Sequence, residues 1–249
     1  MLRVLFAYGA GSLVTAWYAC KAALYSLLRM ESRLCRECDA IQRRWSKAML
    51  WLTGCGVRVE GGEHLRERGG RIIVCNHQSW FDVWALTAYL PTSVRFVTKA
   101  ELGKIPIFGR AWKGCGHISI DRRDRDRAIE SLDAAGRRIR DEGITIAMFA
   151  EGTRSPSGKL QRFKKGAFVL AIQAGVPIVP VGMIGTHQIM PKGSLWFRPG
   201  EIVIRVGEPI QVHGLTNDDR DILKDRAWRA VAELKGEGPA AGTLENQAG

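Results

Sequence analysis

The sequence lacks the cysteine and histidine spacing of a structural metal site. Six cysteines are scattered over 249 residues, and Cys35 and Cys38 form a Cys-x-x-Cys stretch with no second Cys or His pair nearby. A chain of this length buries enough apolar surface to fold without disulfides or a metal. We therefore expect one globular domain, or one domain with a short appendage, whose cysteines are reduced thiols.

Two common enzyme signatures are also absent. No Gly-x-Ser-x-Gly stretch occurs, which argues against a serine hydrolase with a nucleophile elbow. No Gly-x-x-x-x-Gly-Lys-Ser/Thr stretch occurs either, which argues against a P-loop nucleotide enzyme.

Acidic side chains are in deficit. The sequence has 37 Lys and Arg residues against 25 Asp and Glu residues, giving a formal net charge of +12. This balance favours polyanionic partners, and composition leaves nucleic acid, anionic lipid headgroups and phosphorylated substrates equally open.

The N-terminus carries one long apolar stretch. Val4 to Leu28 is largely apolar or small apart from Lys21, and as a helix it would be about 37 Å long, enough to cross a bilayer's hydrocarbon. A signal peptide fits poorly because only Arg3 precedes the stretch, which is itself too long. A membrane-spanning helix, an interfacial helix and a buried core helix remain open, and the basic residues that follow favour a cytoplasmic location for the rest of the chain.

A second helix is predicted from about Glu37 to Thr53. Arg43, Arg44 and Lys47 lie opposite its apolar face, a pattern that suits an anionic membrane surface and equally suits packing on the first helix. The best candidates for anchoring tryptophans at a membrane interface are Trp17, Trp45 and Trp51.

Strands and helices alternate in the remainder of the chain. We predict strands at 57–60, 71–75, 95–98, 116–120, 144–149, 178–183 and 201–206, and helices at 79–90, 126–141, 166–174 and 218–234. The pattern predicts a single α/β domain with a largely parallel sheet flanked by helices. The predicted organisation is a pair of membrane-associated helices at 1–53, this domain at 54–235 and a disordered Gly-, Pro- and Ala-rich tail at 236–249.

The segment Asn76-His77-Gln78-Ser79-Trp80-Phe81-Asp82 follows a buried strand and opens a helix, a position where α/β proteins commonly build active sites. Ser79 is a good N-cap, and Asp82 three residues later completes a pattern like a capping box. Helix capping therefore explains Asp82 without any catalysis. It does not explain His77, whose imidazole would lie within reach of Asp82, as in the base-and-orienter half of a catalytic triad.

A second polar segment, Glu151-Gly152-Thr153-Arg154-Ser155, follows a later strand. Glycine permits close approach of the backbone, and hydroxyl and guanidinium groups are good donors to a phosphate. The alternative is an ordinary polar turn with a surface arginine.

The order of these segments resembles the glycerolipid acyltransferase family, and within it the bacterial 1-acylglycerol-3-phosphate acyltransferases. Between and after them stand two looser family segments, Lys99-Ala100-Glu101-Leu102 with Ile118 to Arg122, and Val176 to Val181. The resemblance covers about residues 54–206. One departure is Ala150, where the family usually has proline, and this puts the loop geometry in doubt more than the activity.

The resemblance implies a role for each site residue. His77 would deprotonate a glycerol hydroxyl, and Asp82 would orient its ring. Arg154, with Lys99 as a second candidate, would hold the acceptor's phosphate. The rest of that substrate pocket would be formed by Glu151, Gly152 and Thr153, and Val176 to Val181 would lie near the acyl chain. His117 and His187 fall near these segments and are weaker candidates for a catalytic part.

The resemblance also implies the partners. An acyl thioester of coenzyme A or acyl-carrier protein would react directly with a membrane lipid acceptor, without cofactor, metal or covalent enzyme intermediate, at the cytoplasmic face of the inner membrane. Lysophosphatidic acid leads as acceptor, and glycerol-3-phosphate, another lysophospholipid and a lyso-ornithine lipid remain open. A non-catalytic basic protein that binds membrane or nucleic acid is the rival. Its best support, the arginine-rich runs at 121–127 and 137–140, mixes charges of both signs and suits a solvated helix face, so no nucleic-acid partner is expected.

Overall fold

The computed structural model describes residues 2–28, 31–67, 69–99, 101, 103, 105, 108–120 and 125–237. The helices are α1 (Leu2–Leu27), α2 (Glu31–Thr53), α3 (Phe81–Tyr89), α4 (Phe108–Gly114), α5 (Arg125–Glu142), α6 (Gly166–Ala174), α7 (Thr186–Ile189) and α8 (Arg220–Lys235). The strands are β1 (Gly56–Glu60), β2 (Arg71–Cys75), β3 (Val94–Lys99), β4 (Ile118–Ile120), β5 (Thr145–Phe149), β6 (Ile178–Ile184) and β7 (Glu201–Val206), with short 3₁₀ turns at Gly62–Leu65 and Asn217–Asp219.

The strands form one sheet in the order β1-β7-β6-β2-β5-β3-β4. All neighbouring pairs are parallel except β6 and β7, which confirms the predicted α/β fold with a largely parallel sheet. Cys75, the last residue of β2, stands opposite Phe149, the last residue of β5. The segments that follow these two strands therefore meet at one edge of the sheet, where open α/β folds place their ligands.

The N-terminal helices pack on one face of this sheet. Val4 and Ala7 of α1 and Leu50 and Leu52 of α2 belong to the apolar core that also contains α3 and the near side of the strands. Lys21, which interrupts the apolar stretch, lies 3.3 Å from Glu37 of α2. The two helices thus share the domain's core, and the boundary predicted at residues 53 and 54 stays a prediction.

A disulfide joins Cys38 of α2 to Cys115, which directly follows α4. The expectation of reduced thiols is therefore wrong for these two residues. Their separation of 77 residues gives no hint of contact in the sequence, and only the packing of α2 near α4 brings their Cα atoms to 5.5 Å.

Two residues of α2 that the sequence offered for a membrane surface contact other parts of the protein. Arg43 donates to the carbonyl oxygens of Ala88 and Leu90, at 3.1 and 3.0 Å, so it satisfies the C-terminal end of α3. Trp45 is half-buried, with its indole N–H donating to the hydroxyl of Thr15 at 3.0 Å. By contrast, Trp17 and Trp51 are 71% and 76% exposed, as interface anchors would be.

The outward side of α1 is apolar, with exposed side chains that recur along the helix at Leu5, Phe6, Leu13, Trp17 and Leu24. None of the helices in the described part of the chain has the combination of length and apolar character needed to cross a membrane.

Several local predictions need correction. Trp80, rather than Ser79, occupies the N-cap of α3. The hydroxyl of Ser79 donates to the carbonyl oxygen of Met190 at 2.8 Å and accepts from the Phe81 N–H only at 3.4 Å, while Asp82 accepts from the Ser79 N–H as the capping pattern predicted. The short helices α4 and α7 were not predicted. Most of the predicted tail, from residue 238 onward, lies outside the described residues.

Candidate active site

The loop after β2 is fixed by the buried side chain of Asn76. Its amide nitrogen donates to the carbonyl oxygen of Met183 at 2.9 Å, and its amide oxygen accepts from the Met183 N–H at 2.7 Å. Because both bonds are buried and join the loop to β6, they hold the backbone at the entrance to His77. The family segment at Val176 to Val181, expected near the acyl chain, thus leads into a strand that anchors this loop.

His77 and Asp82 form the pair that the sequence suggested. The Nδ1 atom of His77 lies 2.8 Å from Oδ2 of Asp82, and the side chains are 16% and 0% exposed. The same oxygen accepts from the backbone N–H groups of Gln78 and Ser79 at 2.7 and 2.9 Å. An ionised carboxylate can only accept, so Nδ1 carries the proton and Nε2 is left with its lone pair.

The ring of His77 is also held from one side. It stacks on Phe149 at the end of β5, with ring centroids 3.8 Å apart and planes inclined by 15°. Its Nε2 atom makes no hydrogen bond with the described residues. The ring is therefore fixed in orientation while its basic nitrogen remains available to a substrate proton.

Cys75, two residues before His77, is not arranged as a nucleophile. It is fully buried, and burial raises the pKa of its thiol well above the usual value, assisted by the charges of Asp82 and Glu151. A buried thiol of raised pKa holds little thiolate.

Glu151 lies beneath the His77 loop. Its Oε1 accepts from the backbone N–H of His77 at 2.9 Å, and its Oε2 accepts from the Gln161 amide at 2.7 Å. Burial raises the pKa of this carboxyl, although both hydrogen bonds act in the opposite direction. The structure thus gives Glu151 a supporting position under His77, where the resemblance implied a wall of the phosphate pocket.

The residues after Glu151 form a tight turn. Gly152 has φ of +76°, a backbone conformation that favours glycine. Thr153 is exposed, and its hydroxyl accepts from Nζ of Lys192 at 3.2 Å. Sequence reasoning missed Lys192 because no motif surrounds it, and only the fold brings it to this turn.

Arg154 lies over the indole of Trp80, with Cζ 5.1 Å from the ring centroid. Its guanidinium has no carboxylate partner among the described residues. The turn at 152–154 and the His77 loop are joined directly, because the Ser155 N–H donates to the His77 carbonyl oxygen at 2.7 Å. Lys99 ends β3, but its side chain lies outside the described part of the chain.

An apolar pocket of about 60 Å³ lies on the face of the sheet that the N-terminal helices cover, among α1, α2, α3 and α4. Phe96 of β3 forms part of its wall and is the next ring beyond Phe149, with centroids 6.1 Å apart. A row of aromatic rings thus leads from His77 to the pocket.

Comparison with known proteins adds an independent test of family. The family model described as Acyltransferase matches residues 56–184. The human 1-acyl-sn-glycerol-3-phosphate acyltransferase alpha is 34% identical over 181 residues, which is 73% of this chain and 64% of that protein. The coconut (Cocos nucifera) 1-acyl-sn-glycerol-3-phosphate acyltransferase is 34% identical over 165 residues, which is 66% of this chain and 53% of that protein. The chain therefore spans about half to two thirds of the length of these curated relatives.

The same kind of protein is found among solved structures. The crystal structure of the 1-acyl-sn-glycerophosphate (LPA) acyltransferase PlsC from Thermotoga maritima superimposes with a TM-score of 0.78 at 29% identity, covering 94% of this chain and 95% of that chain. Because the family model runs from β1 to the end of β6 and includes both loops of the candidate site, the chain belongs to the acyltransferase family.

Proposed function

We propose that the protein transfers a fatty acyl group from an acyl thioester to the sn-2 hydroxyl of 1-acyl-glycerol-3-phosphate, giving phosphatidic acid. The observation that carries this proposal is the oriented His77–Asp82 pair, whose Nε2 is available at the edge of the sheet beside a cationic turn. The names of the relatives, from plants, human and a bacterium, support the same reaction.

In the proposed step, Nε2 of His77 removes the proton of the acceptor hydroxyl while the oxygen attacks the thioester carbonyl carbon. The new C–O bond forms, the C–S bond breaks, and the departing thiolate takes the proton back from the imidazolium. Asp82 stabilises the imidazolium because its carboxylate lies 2.8 Å from Nδ1. General-base catalysis of this kind contributes about 10²- to 10⁴-fold, and the step needs no covalent enzyme intermediate, metal or cofactor.

The acceptor's phosphate is proposed to bind at the turn after Glu151. Arg154 has no carboxylate partner among the described residues, and Lys192 places a second cation 3.2 Å from the hydroxyl of Thr153. Guanidinium and ammonium groups that lack a protein counter-ion suit a phosphate that brings its own charge. Lys99 stays a candidate for the same role.

The fatty acyl chain is proposed to enter the pocket bounded by α1 to α4. Its walls are largely apolar, and the aromatic row His77, Phe149 and Phe96 leads to it from the reacting centre. Burial of methylene groups there would stabilise a chain by about 0.8 kcal/mol for each group.

We further propose that α1 lies on the membrane surface at the cytoplasmic face of the inner membrane. Its exposed Leu13, Trp17 and Leu24 would enter the interface, and the net charge of +12 would attract anionic lipid. Sedimentation with anionic vesicles tests this, since Leu13→Ser combined with Trp17→Ser should release much of the protein, and unchanged binding would place the anchor elsewhere.

The function itself is tested by supplying oleoyl-coenzyme A with lysophosphatidic acid in mixed micelles and measuring phosphatidic acid by mass spectrometry. Lysophosphatidylcholine and glycerol-3-phosphate serve as competing acceptors, and acyl-carrier protein as a competing carrier. Phosphatidic acid as the main product supports the proposal. Faster transfer to lysophosphatidylcholine than to lysophosphatidic acid would contradict the assigned acceptor, and no transfer to any acceptor would contradict the reaction.

A further inference from the structure

The pocket bounded by α1 to α4 contains two polar groups that its apolar character does not explain. Nε2 of Gln42 and Nε2 of His117 are buried, and neither has a hydrogen-bond partner within the described part of the chain. Both residues line the pocket. A buried donor left unpaired destabilises a protein, so two in one small pocket require a physical account.

The protonation of His117 follows from its contacts. The backbone N–H of Phe96 donates to Nδ1 of His117 at 3.0 Å, so Nδ1 must carry a lone pair. Burial lowers the pKa of His117 well below its usual value, and the charges of Arg95 and Arg138 act in the same direction. The ring is therefore neutral with its proton on Nε2, which makes the unpartnered atom a hydrogen-bond donor.

The ring of His117 is held firmly in this position. Trp112 stacks on it with ring centroids 3.6 Å apart, and the residue is only 7% exposed. The Nε2 donor therefore belongs to a buried side chain whose position is fixed by its neighbours.

The pocket is also distant from the reacting centre. His77 follows β2, whereas His117 precedes β4, and β5 and β3 lie between them in the sheet. Three strand spacings amount to about 14 Å. The thioester carbonyl and the acceptor hydroxyl must meet at His77, so an oxygen that reaches His117 has to belong to the chain that extends into the pocket.

We infer that the pocket accepts an acyl chain bearing an oxygen substituent, a hydroxyl or keto group part-way along the chain, with Gln42 and His117 as the donors that recognise it. This inference rests on the proposed acyl transfer. His117 and Gln42 are specificity-determining residues in this account, and they take no part in the chemical step.

The experiment compares hexadecanoyl-coenzyme A with a set of hydroxyhexadecanoyl-coenzyme A isomers that carry the hydroxyl at successive positions. With wild-type protein, one isomer should exceed the plain chain in kcat/KM by about tenfold, the equivalent of about 1.4 kcal/mol. The corresponding free hydroxy acid should displace a fluorescent fatty acid from the protein more tightly than hexadecanoic acid does.

Two variants identify the donors, and a third is their control. His117→Phe keeps an aromatic ring against Trp112 but removes both the Nε2 donor and the Nδ1 atom that accepts from the Phe96 N–H. Gln42→Leu removes the other donor and leaves that bond between Phe96 and His117 intact. In each of these two variants, the ratio of kcat/KM for the preferred hydroxylated chain to kcat/KM for the plain chain should fall toward one, while transfer of the plain chain persists. Thr87→Val is the matched control, because Thr87 lines the same pocket but its hydroxyl already donates to the Val83 carbonyl at 2.7 Å.

The outcomes separate this inference from the proposed function. If no acyl thioester is transferred, the proposed reaction fails, and the displacement assay still decides what the pocket prefers. Equal binding of plain and hydroxylated chains at every position would overturn the inference, since bound water would then satisfy both donors equally well. Retention of the preference in both His117→Phe and Gln42→Leu would overturn it as well.

Discussion

The His77 loop and the turn at 152–154 meet at the same edge of the sheet but are built differently. Asn76 of the loop and Asp82, in the first turn of α3, are fully buried, and each makes at least two hydrogen bonds to protein groups. In the turn, Thr153 is exposed, and Arg154 rests on the face of Trp80 with no carboxylate partner among the described residues. The ring of His77 is thus oriented without substrate, whereas Arg154 and Lys192 are cations with no carboxylate partner among the described residues.

This difference matches the separate tasks that the proposed reaction requires. A general base acts within a small range of distance and angle, so its ring must be oriented before substrate arrives. A phosphate supplies strong acceptors itself, so its binding residues need not be paired beforehand. The comparison therefore predicts that changes in the loop reduce kcat or stability, and changes in the turn raise the acceptor KM.

The largest effect is expected for Asp82→Asn. This change weakens the orientation of His77 and the stabilisation of its imidazolium, and the same substitution in Ser-His-Asp sites lowers kcat by about 10⁴-fold. We expect kcat to fall by about 10³- to 10⁴-fold with little change in the acceptor KM, measured by steady-state phosphatidic acid formation. A variant that retained more than a tenth of the wild-type kcat would contradict the orienting role.

A smaller loss, of stability, is expected for Asn76→Ala. The change leaves both the N–H and the carbonyl of Met183 buried and unpaired, at a cost of about 1–3 kcal/mol for each group. The unfolding midpoint in urea should fall, and kcat should fall with it because the His77 loop loses its anchor on β6. Asn217→Ala, in an exposed 3₁₀ turn far along the chain, is the control and should change neither quantity.

A change in the turn should act on binding. Arg154→Ala removes one charged donor, and hydrogen bonds to charged groups contribute about 1.5–3 kcal/mol, so the acceptor KM should rise by roughly tenfold to a hundredfold. The exposed Arg162→Ala is the matched control. A fall in kcat at unchanged acceptor KM would contradict the assignment of the turn to acceptor binding.

The smallest effect is expected in the pH dependence of stability and concerns Glu151. This residue directly precedes the turn in sequence, but its carboxylate accepts from the backbone N–H of His77 in the loop. Because burial raises its pKa, the folded state keeps a proton that the unfolded state releases. Stability should therefore fall as the pH rises from about 4.5 to the raised value, by at most about 1.4 kcal/mol per pH unit, and be constant above it. Urea unfolding at a series of pH values should show this slope in wild type and not in Glu151→Gln, and equal slopes would contradict the assignment.

The sequence predicted best where local pattern and tertiary structure agree. The bounds of β2, α6 and β7 match the prediction, because β2 and α6 are largely apolar runs and β7 alternates buried and more exposed residues. The contact between His77 and Asp82 was also predictable, since a loop of five residues leaves the two side chains close to each other.

The remaining features depend on distant contacts that no local pattern encodes. The Cys38–Cys115 disulfide, the partners of Arg43 and the approach of Lys192 to Thr153 all join segments at least 39 residues apart. The hydroxyl of Ser79, predicted to cap α3, donates to the carbonyl oxygen of Met190, more than a hundred residues later. In each case a tertiary partner overrode the local preference.

The most direct test of the account is acyl transfer by His77→Ala with and without added imidazole, beside His213→Ala as the control in an exposed loop. The account predicts that kcat of His77→Ala falls by at least about 10²-fold. It further predicts that imidazole, as a diffusible base, restores part of the lost rate, while His213→Ala behaves as wild type. Wild-type kcat in His77→Ala would contradict the assignment of His77 as the base.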